Sequence, residues 1–108
     1  MNTQTIADTI CDHYKISHIR IEHSNKMEGN GGIGCYHSYR YKGHKHIYPK
    51  KITLYKFADS GGNGEIAHVL GHELAHHVCC VKHQSLRHDN RHGKLSDDIG
   101  MRIWKLLK

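Results

Sequence analysis

The sequence predicts an α+β domain with an N-terminal helix, a small antiparallel or mixed sheet, a long central helix and a C-terminal helix. Three observations carry that prediction. Apolar residues recur at helical spacing in runs near the start, in the middle and at the end of the chain. Between the first two runs, short stretches alternate apolar with polar residues, as half-buried strands do. Glycine-rich segments separate these stretches.

From Thr3 to Tyr14, Ile6, Ile10 and Tyr14 stand four apart with Ala7 and Cys11 alongside, which makes one apolar helix face. His18 to His23 alternates Ile19 and Ile21 with polar partners and reads as a short strand. Lys26 to Gly34 holds four glycines and an Asn, a loop or hairpin turn. Cys35 to Tyr41 is a second strand, and Lys42 to Pro49 a polar connection. Lys51 to Phe57 is the clearest strand, with Ile52 and Leu54 on one face and Thr53, Tyr55 and Phe57 on the other. Asp59 to Gly64 is a turn leading to the central helix, Glu65 to about Lys82, in which Ile66, Leu70, Leu74, Val78 and Val81 form the buried stripe. Gln84 to Gly93 reads as a polar loop. Ser96 is the expected N-cap of the last helix, with Asp97 and Asp98 in its first turn. Leu95, Ile99, Ile103, Leu106 and Leu107 give that helix its apolar face.

At 108 residues the chain is expected to form one domain, spanning 1–108. No apolar run approaches about 18 residues, so a membrane span is not expected. Met1 to Asp12 shows no signal-peptide pattern. Cys11, Cys35, Cys79 and Cys80 have no C-x-x-C spacing, and neighbours on a helix do not readily pair. Reduced thiols and a cytoplasmic location are the expectation. The formal net charge of +6 is spread along the chain. It implies at most a weak, unspecific association with nucleic acid or another polyanion.

The central helix carries His72-Glu73-Leu74-Ala75-His76, an H-E-x-x-H motif. Residues four apart lie on one helix face, so His72 and His76 can offer imidazole nitrogens to one metal ion. Glu73 lies off the ligand pair but beside it. Two ligands and a general base on one helix is the arrangement of zinc hydrolases. With 13 histidines in the chain, such a motif would arise by chance only about 0.06 times. At about 100° per residue the two histidines fall opposite the Ile66–Val81 stripe and should face a cleft rather than the core.

A catalytic zinc has three protein ligands and an open position. His83, His88, His92, Asp97 and Asp98 are all within reach in sequence as the third. Glu65 to about Trp104, roughly 40 of the 108 residues, resembles the metal-binding half of the SprT-like zinc metalloproteases. The resemblance rests on H-E-x-x-H, on a following loop, on His92-Gly93-Lys94 as the His-Gly element that opens the next helix, and on a strand just ahead of the motif. His92 follows His76 by 16 positions, close to the family's spacing. Ser96 stands where that family places a bulky aromatic, with Leu95 and Ile99 available for its packing role.

The resemblance implies a minimal zincin-like domain, Zn²⁺ as cofactor, His92 as the third ligand and peptidase activity on a protein or peptide substrate. Helix geometry agrees on His83, which lies about 10 Å further along the axis than His76 if the helix continues. Gly93 is expected to let the chain turn into the new helix. In the implied mechanism Glu73 takes a proton from a zinc-activated water and delivers it to the leaving amine. Tyr36, Tyr39, Tyr41 and His68 are candidates for a second oxyanion donor. Substrate backbone is expected to add to the sheet at Lys51 to Phe57. His68 and His77 also have plainer readings, as a helix-face residue and a packed core residue. Cys79 reads as packing, and His37, His44 and His46 as a flank of the tyrosine-rich hairpin. The alternatives are an ImmA-like regulatory metallopeptidase and a non-enzymatic basic zinc module that binds nucleic acid. The last would need a closed site with a fourth protein ligand.

Overall fold

A computed structural model describes residues 2–25, 33–55 and 62–108. The elements run α1 (Thr3–Tyr14), β1 (Arg20–His23), β2 (Gly34–Tyr39), β3 (Tyr48–Leu54), α2 (Gly62–His83) and α3 (Asn90–Leu107). The domain is α+β, with three helices and a mixed three-stranded sheet among the described residues. Most of the expected turn at Lys26–Gly34, the first half of that at Asp59–Gly64, and the end of the strand at Lys56 and Phe57 lie outside the described residues. Residues 62–64, expected in the turn, already belong to α2, which starts three residues before Glu65.

The first helix begins and ends where its sequence pattern indicates. The Asn2 side chain accepts a hydrogen bond from the Thr5 amide, an N-cap. Lys15 closes the other end in the left-handed region, with its amide on the Asp12 carbonyl and that of Ile16 on Cys11. Ile6, Ala7, Ile10 and Cys11 are buried, as their spacing requires.

In the sheet, β3 is the middle strand. It pairs with β1 in parallel, Ile21 opposite Ile52, and with β2 antiparallel, Tyr36 opposite Ile52. That overturns the expectation of substrate docking along Lys51 to Phe57, because both edges of β3 are already paired over the described strand. A sheet accepts a new strand only at an edge. Proline at Thr53, which is buried and stands between Glu22 of β1 and Cys35 of β2, would disrupt the sheet itself rather than a docking edge. The strand also starts at Tyr48, inside the stretch expected to be a connection. Pro49 fits because it stands opposite Ser38 at the register shift between His37 and Ser38, where ladder bonding is already interrupted.

The core lies between sheet and helices: Ile52 and Leu54 from β3, Leu70, Leu74 and Val78 from α2, Ile99 and Ile103 from α3, and the apolar face of α1. Helix α2 is covered on more than one side. Twelve of its residues are buried, including Glu73, His76 and His77. The expectation that His76 faces an open cleft is therefore corrected, since α3 packs over that face and leaves His76 only 7% exposed.

Helix α3 begins six residues before the expected cap. Asp89, not Ser96, is the N-cap, its carboxylate accepting from the His92 amide. That hydrogen bond holds the Asp89 carboxyl below its usual range. Asp97 and Asp98 are thus mid-helix. Asp98 accepts hydrogen bonds from Tyr14 and Arg102, which lower its pKa and tie α1 to α3. Gly93 sits in the first helical turn, so it supplies no sharp bend there.

The α2–α3 crossing is made by glycines. A Cβ on Gly71 would lie 3.0 Å from Gly100 Cα and N and 3.3 Å from the Ser96 carbonyl oxygen. Backbone atoms cannot rotate away, so the helices would have to part. Gly71→Ala is expected to cost about 1–3 kcal/mol of stability and to loosen the geometry between His92 and the α2 histidines. Thermal denaturation and metal titration of the variant check this. An unchanged midpoint and unchanged metal affinity would contradict it.

Candidate metal centre

Three described side chains come together as one set. His72, His76 and His92 each place a ring nitrogen within 4.8 Å of the others, close enough to share a metal ion. The first two stand a helical turn apart on α2. His92 is brought over them from the first turn of α3 by the Asp89 cap and the close crossing at Gly71. It is 3% exposed. Its Nε2 lies 3.1 Å from the His72 backbone carbonyl oxygen. A ring donating Nε2–H there presents Nδ1 as its lone-pair nitrogen. Ligating histidines are commonly oriented by such a bond.

His88 approaches the same point. Its Nε2 lies 3.0 Å from Nε2 of His76 and 3.3 Å from Nε2 of His72. The four imidazole centroids are all 4.0–5.2 Å from one another. His88 falls in the stretch whose sequence reads as a polar loop, where no regular element is expected to hold it. The caps on either side hold it, as described below. The other candidates stay away. His83 ends α2 and lines a different cleft with Tyr14 and Lys82. Asp98 is tied to Tyr14 and Arg102, and Asp97 lines a groove beside Trp104. Cys79 is 1% exposed and belongs to the core, where burial raises its pKa.

The donor set fits a metal ion. A ligating imidazole must be neutral, and the fold favours that form. Burial pushes His76 down to about 3, aided by His92, His72 and His88. His72 and His92 are also lowered, chiefly by burial, although the His72 carbonyl partly offsets this for His92. Nδ1 of His76 is buried with no hydrogen-bond partner, while Nε2 faces other imidazoles. Burying so many ring nitrogens with so few donors is costly. A cation among them offsets that cost.

The same shifts set the stability of the metal-free protein. Unfolded, these histidines titrate near 6.5. Folded, His76 resists protonation down to about 3, and His77, buried behind it, is lowered too. Between those values the unfolded chain binds protons that the folded chain refuses. Stability is therefore full above about pH 6.5 and is lost as pH falls toward about 3. Denaturant unfolding of metal-free protein at about pH 7.5 and about pH 5 checks this. Equal midpoints would contradict it.

Glu73 is beside the cluster and outside the set close enough to share an ion. One carboxylate oxygen lies 3.7 Å from His72 Nε2, and the side chain is 6% exposed. It lines a cleft of about 260 Å³ with Ile33, Gly34, His68, Val69 and His72. Gly34 makes that close approach possible, because a Cβ there would lie 2.7 Å from Val69 Cγ1 and 3.2 Å from Glu73 Cγ.

Of the four candidate oxyanion donors, only His68 lines this cleft. The Tyr36 hydroxyl is 3.1 Å from His77 Nδ1, and burial raises its pKa. His77 in turn reaches the Ser17 carbonyl oxygen at 2.8 Å, so Tyr36 and His77 form a packed polar link rather than part of the cleft. Tyr39 and Tyr41 cluster with Tyr48 at the far end of the sheet. Tyr39 is about 16 Å along the strand from Gly34.

Comparisons with protein-family models, with characterised proteins and with solved structures find no match to this chain.

Proposed function

We propose that this protein is a zinc-dependent peptidase of the H-E-x-x-H type, similar to the SprT-like metalloproteases. The observation that carries the reading is the convergence of His72, His76 and His92 with Glu73 beside them in a cleft. Neutral imidazoles from these three histidines would hold the ion. Zinc, when bound, supplies Lewis acidity toward a carbonyl and lowers the pKa of a water at its open position toward about 7. Glu73 accepts the proton from the attacking water on its carboxylate and returns it to the leaving amine. His68, which lines the same cleft, would donate to the developing oxyanion. An extended substrate would meet β2, the sheet edge that starts at Gly34 beside Glu73.

One observation favours a second reading. If His88 binds permanently as a fourth ligand, the site is closed and the zinc structural. The +6 charge would then serve a polyanion-binding module.

The direct test is metal analysis of purified protein with a peptide-cleavage assay before and after chelation. One zinc per chain is expected, with cleavage lost on chelation and restored by zinc. Cleavage indifferent to chelation, or no bound metal, would overturn the peptidase reading.

A further inference from the structure

We propose that His88 is a displaceable fourth ligand. It closes the metal site from the solvent side and must be exchanged for water or substrate before the site can act. The inference rests on the metal reading above. Two nitrogens bound to one tetrahedral zinc at about 2.0–2.1 Å stand about 3.3 Å apart. The His88 Nε2 separations from His76 and His72, 3.0 and 3.3 Å, match that spacing. His88 thus holds a ring nitrogen at ligand spacing from two of the three histidines, and its ring centroid lies 5.1 Å from that of His92.

The surroundings of His88 differ from those of the other three. His76 and His92 are buried, His72 is half-buried, and His88 is exposed. It is carried by a short span between two fixed ends. At one end Gln84 terminates α2 in the left-handed region, with its amide on the Cys80 carbonyl and that of Ser85 on Cys79. The Gln84 side chain also clamps the Ile47 backbone through both its oxygen and its nitrogen. At the other end Asp89 caps α3. Leu86 and Arg87, between the anchors, are exposed, and the Arg87 amide reaches only the Ser85 hydroxyl at 3.3 Å. The anchors bring His88 to the cluster, while its ring can turn outward without disturbing either helix. Displacing His92 would instead require α3 to move.

Cobalt(II) substitution with azide as the probe tests this, because the visible spectrum of cobalt reports its ligands without any turnover. Wild-type protein should bind one cobalt with a four-nitrogen spectrum. His88→Ala should still bind one cobalt, with a shifted spectrum and azide affinity at least about tenfold higher, the factor expected when the open form is a tenth or less of the population. His83→Ala, outside the cluster, should match wild type. If wild type and His88→Ala share one spectrum and one azide affinity, this inference fails while the metal reading stands. If His88→Ala loses cobalt altogether, His88 is a fixed structural ligand and displacement is overturned. No cobalt in the wild type would overturn both.

Discussion

Glu73→Gln is expected to keep one zinc per chain and the native fold while peptide hydrolysis falls by about 10²- to 10⁴-fold, the usual weight of a general base. The amide has nearly the shape of the carboxylate, and shape matters at this position. Glu73 is almost fully buried, and its Cγ lies against the space that Gly34 leaves empty. An isostere fills the same volume, so neither β2 nor α2 needs to move. An amide cannot take up the proton, so only the chemistry is removed. Metal content by elemental analysis, folding by circular dichroism and cleavage of a peptide substrate form the set of measurements. Loss of zinc from the variant would mean that Glu73 is a ligand. Full activity with zinc retained would remove it from the mechanism.

His92→Ala is expected to weaken zinc binding by more than about 100-fold, beyond what changes behind the ligands usually cost. Activity should be lost with it. His92 is the member of the cluster that joins the two helices. Its amide is held by the Asp89 cap, its Nε2 by the His72 carbonyl, and its ring packs 4.0 Å from that of His76. His88 also reaches the cluster, but it is exposed, whereas His92 is buried and carried by α3. His88→Ala should weaken zinc far less, since the buried three remain, and His83→Ala should have no effect. Competition titration with a zinc chelator ranks the three variants. Tight binding retained in His92→Ala but lost in His88→Ala would move the third ligand to His88 and weaken the SprT-like reading.

The parts of this protein that were legible before folding are those written in local spacing. Helix α1 shows its apolar face at intervals of four, and its observed bounds are those the pattern marks. His72 and His76 share a face because 3.6 residues make a turn. That relation holds for any helix containing them. The start of α3 was misread for a physical reason. Its first turn faces solvent except at His92, and a buried polar residue leaves no trace in an apolar pattern. The signal was present in another form. His92 lies seven positions before Ile99, on the same face, and Asp89 precedes it by three, the spacing of a cap.

Relations between distant segments left no such mark. The alternation in Lys51 to Leu54 identifies a strand equally well at the edge or in the centre of a sheet, and only the pairing with β1 and β2 makes it central. Tyr36, Tyr39 and Tyr41 are alike in sequence. One is drawn to His77, and the other two end up at the opposite end of the sheet from Gly34. His88 has no periodicity to place it, and it meets the cluster because caps at Gln84 and Asp89 fix both ends of its span. From the sequence came the α+β class, the first helix and a metal-ready pair with a carboxylate beside it, all set by contacts within a few residues. Packing across the Gly71–Gly100 crossing brought His92 to that pair from 20 residues beyond His72, and the caps at Gln84 and Asp89 brought His88 from 16. Such long-range approaches depend on which surfaces exclude water together, and no local spacing records that.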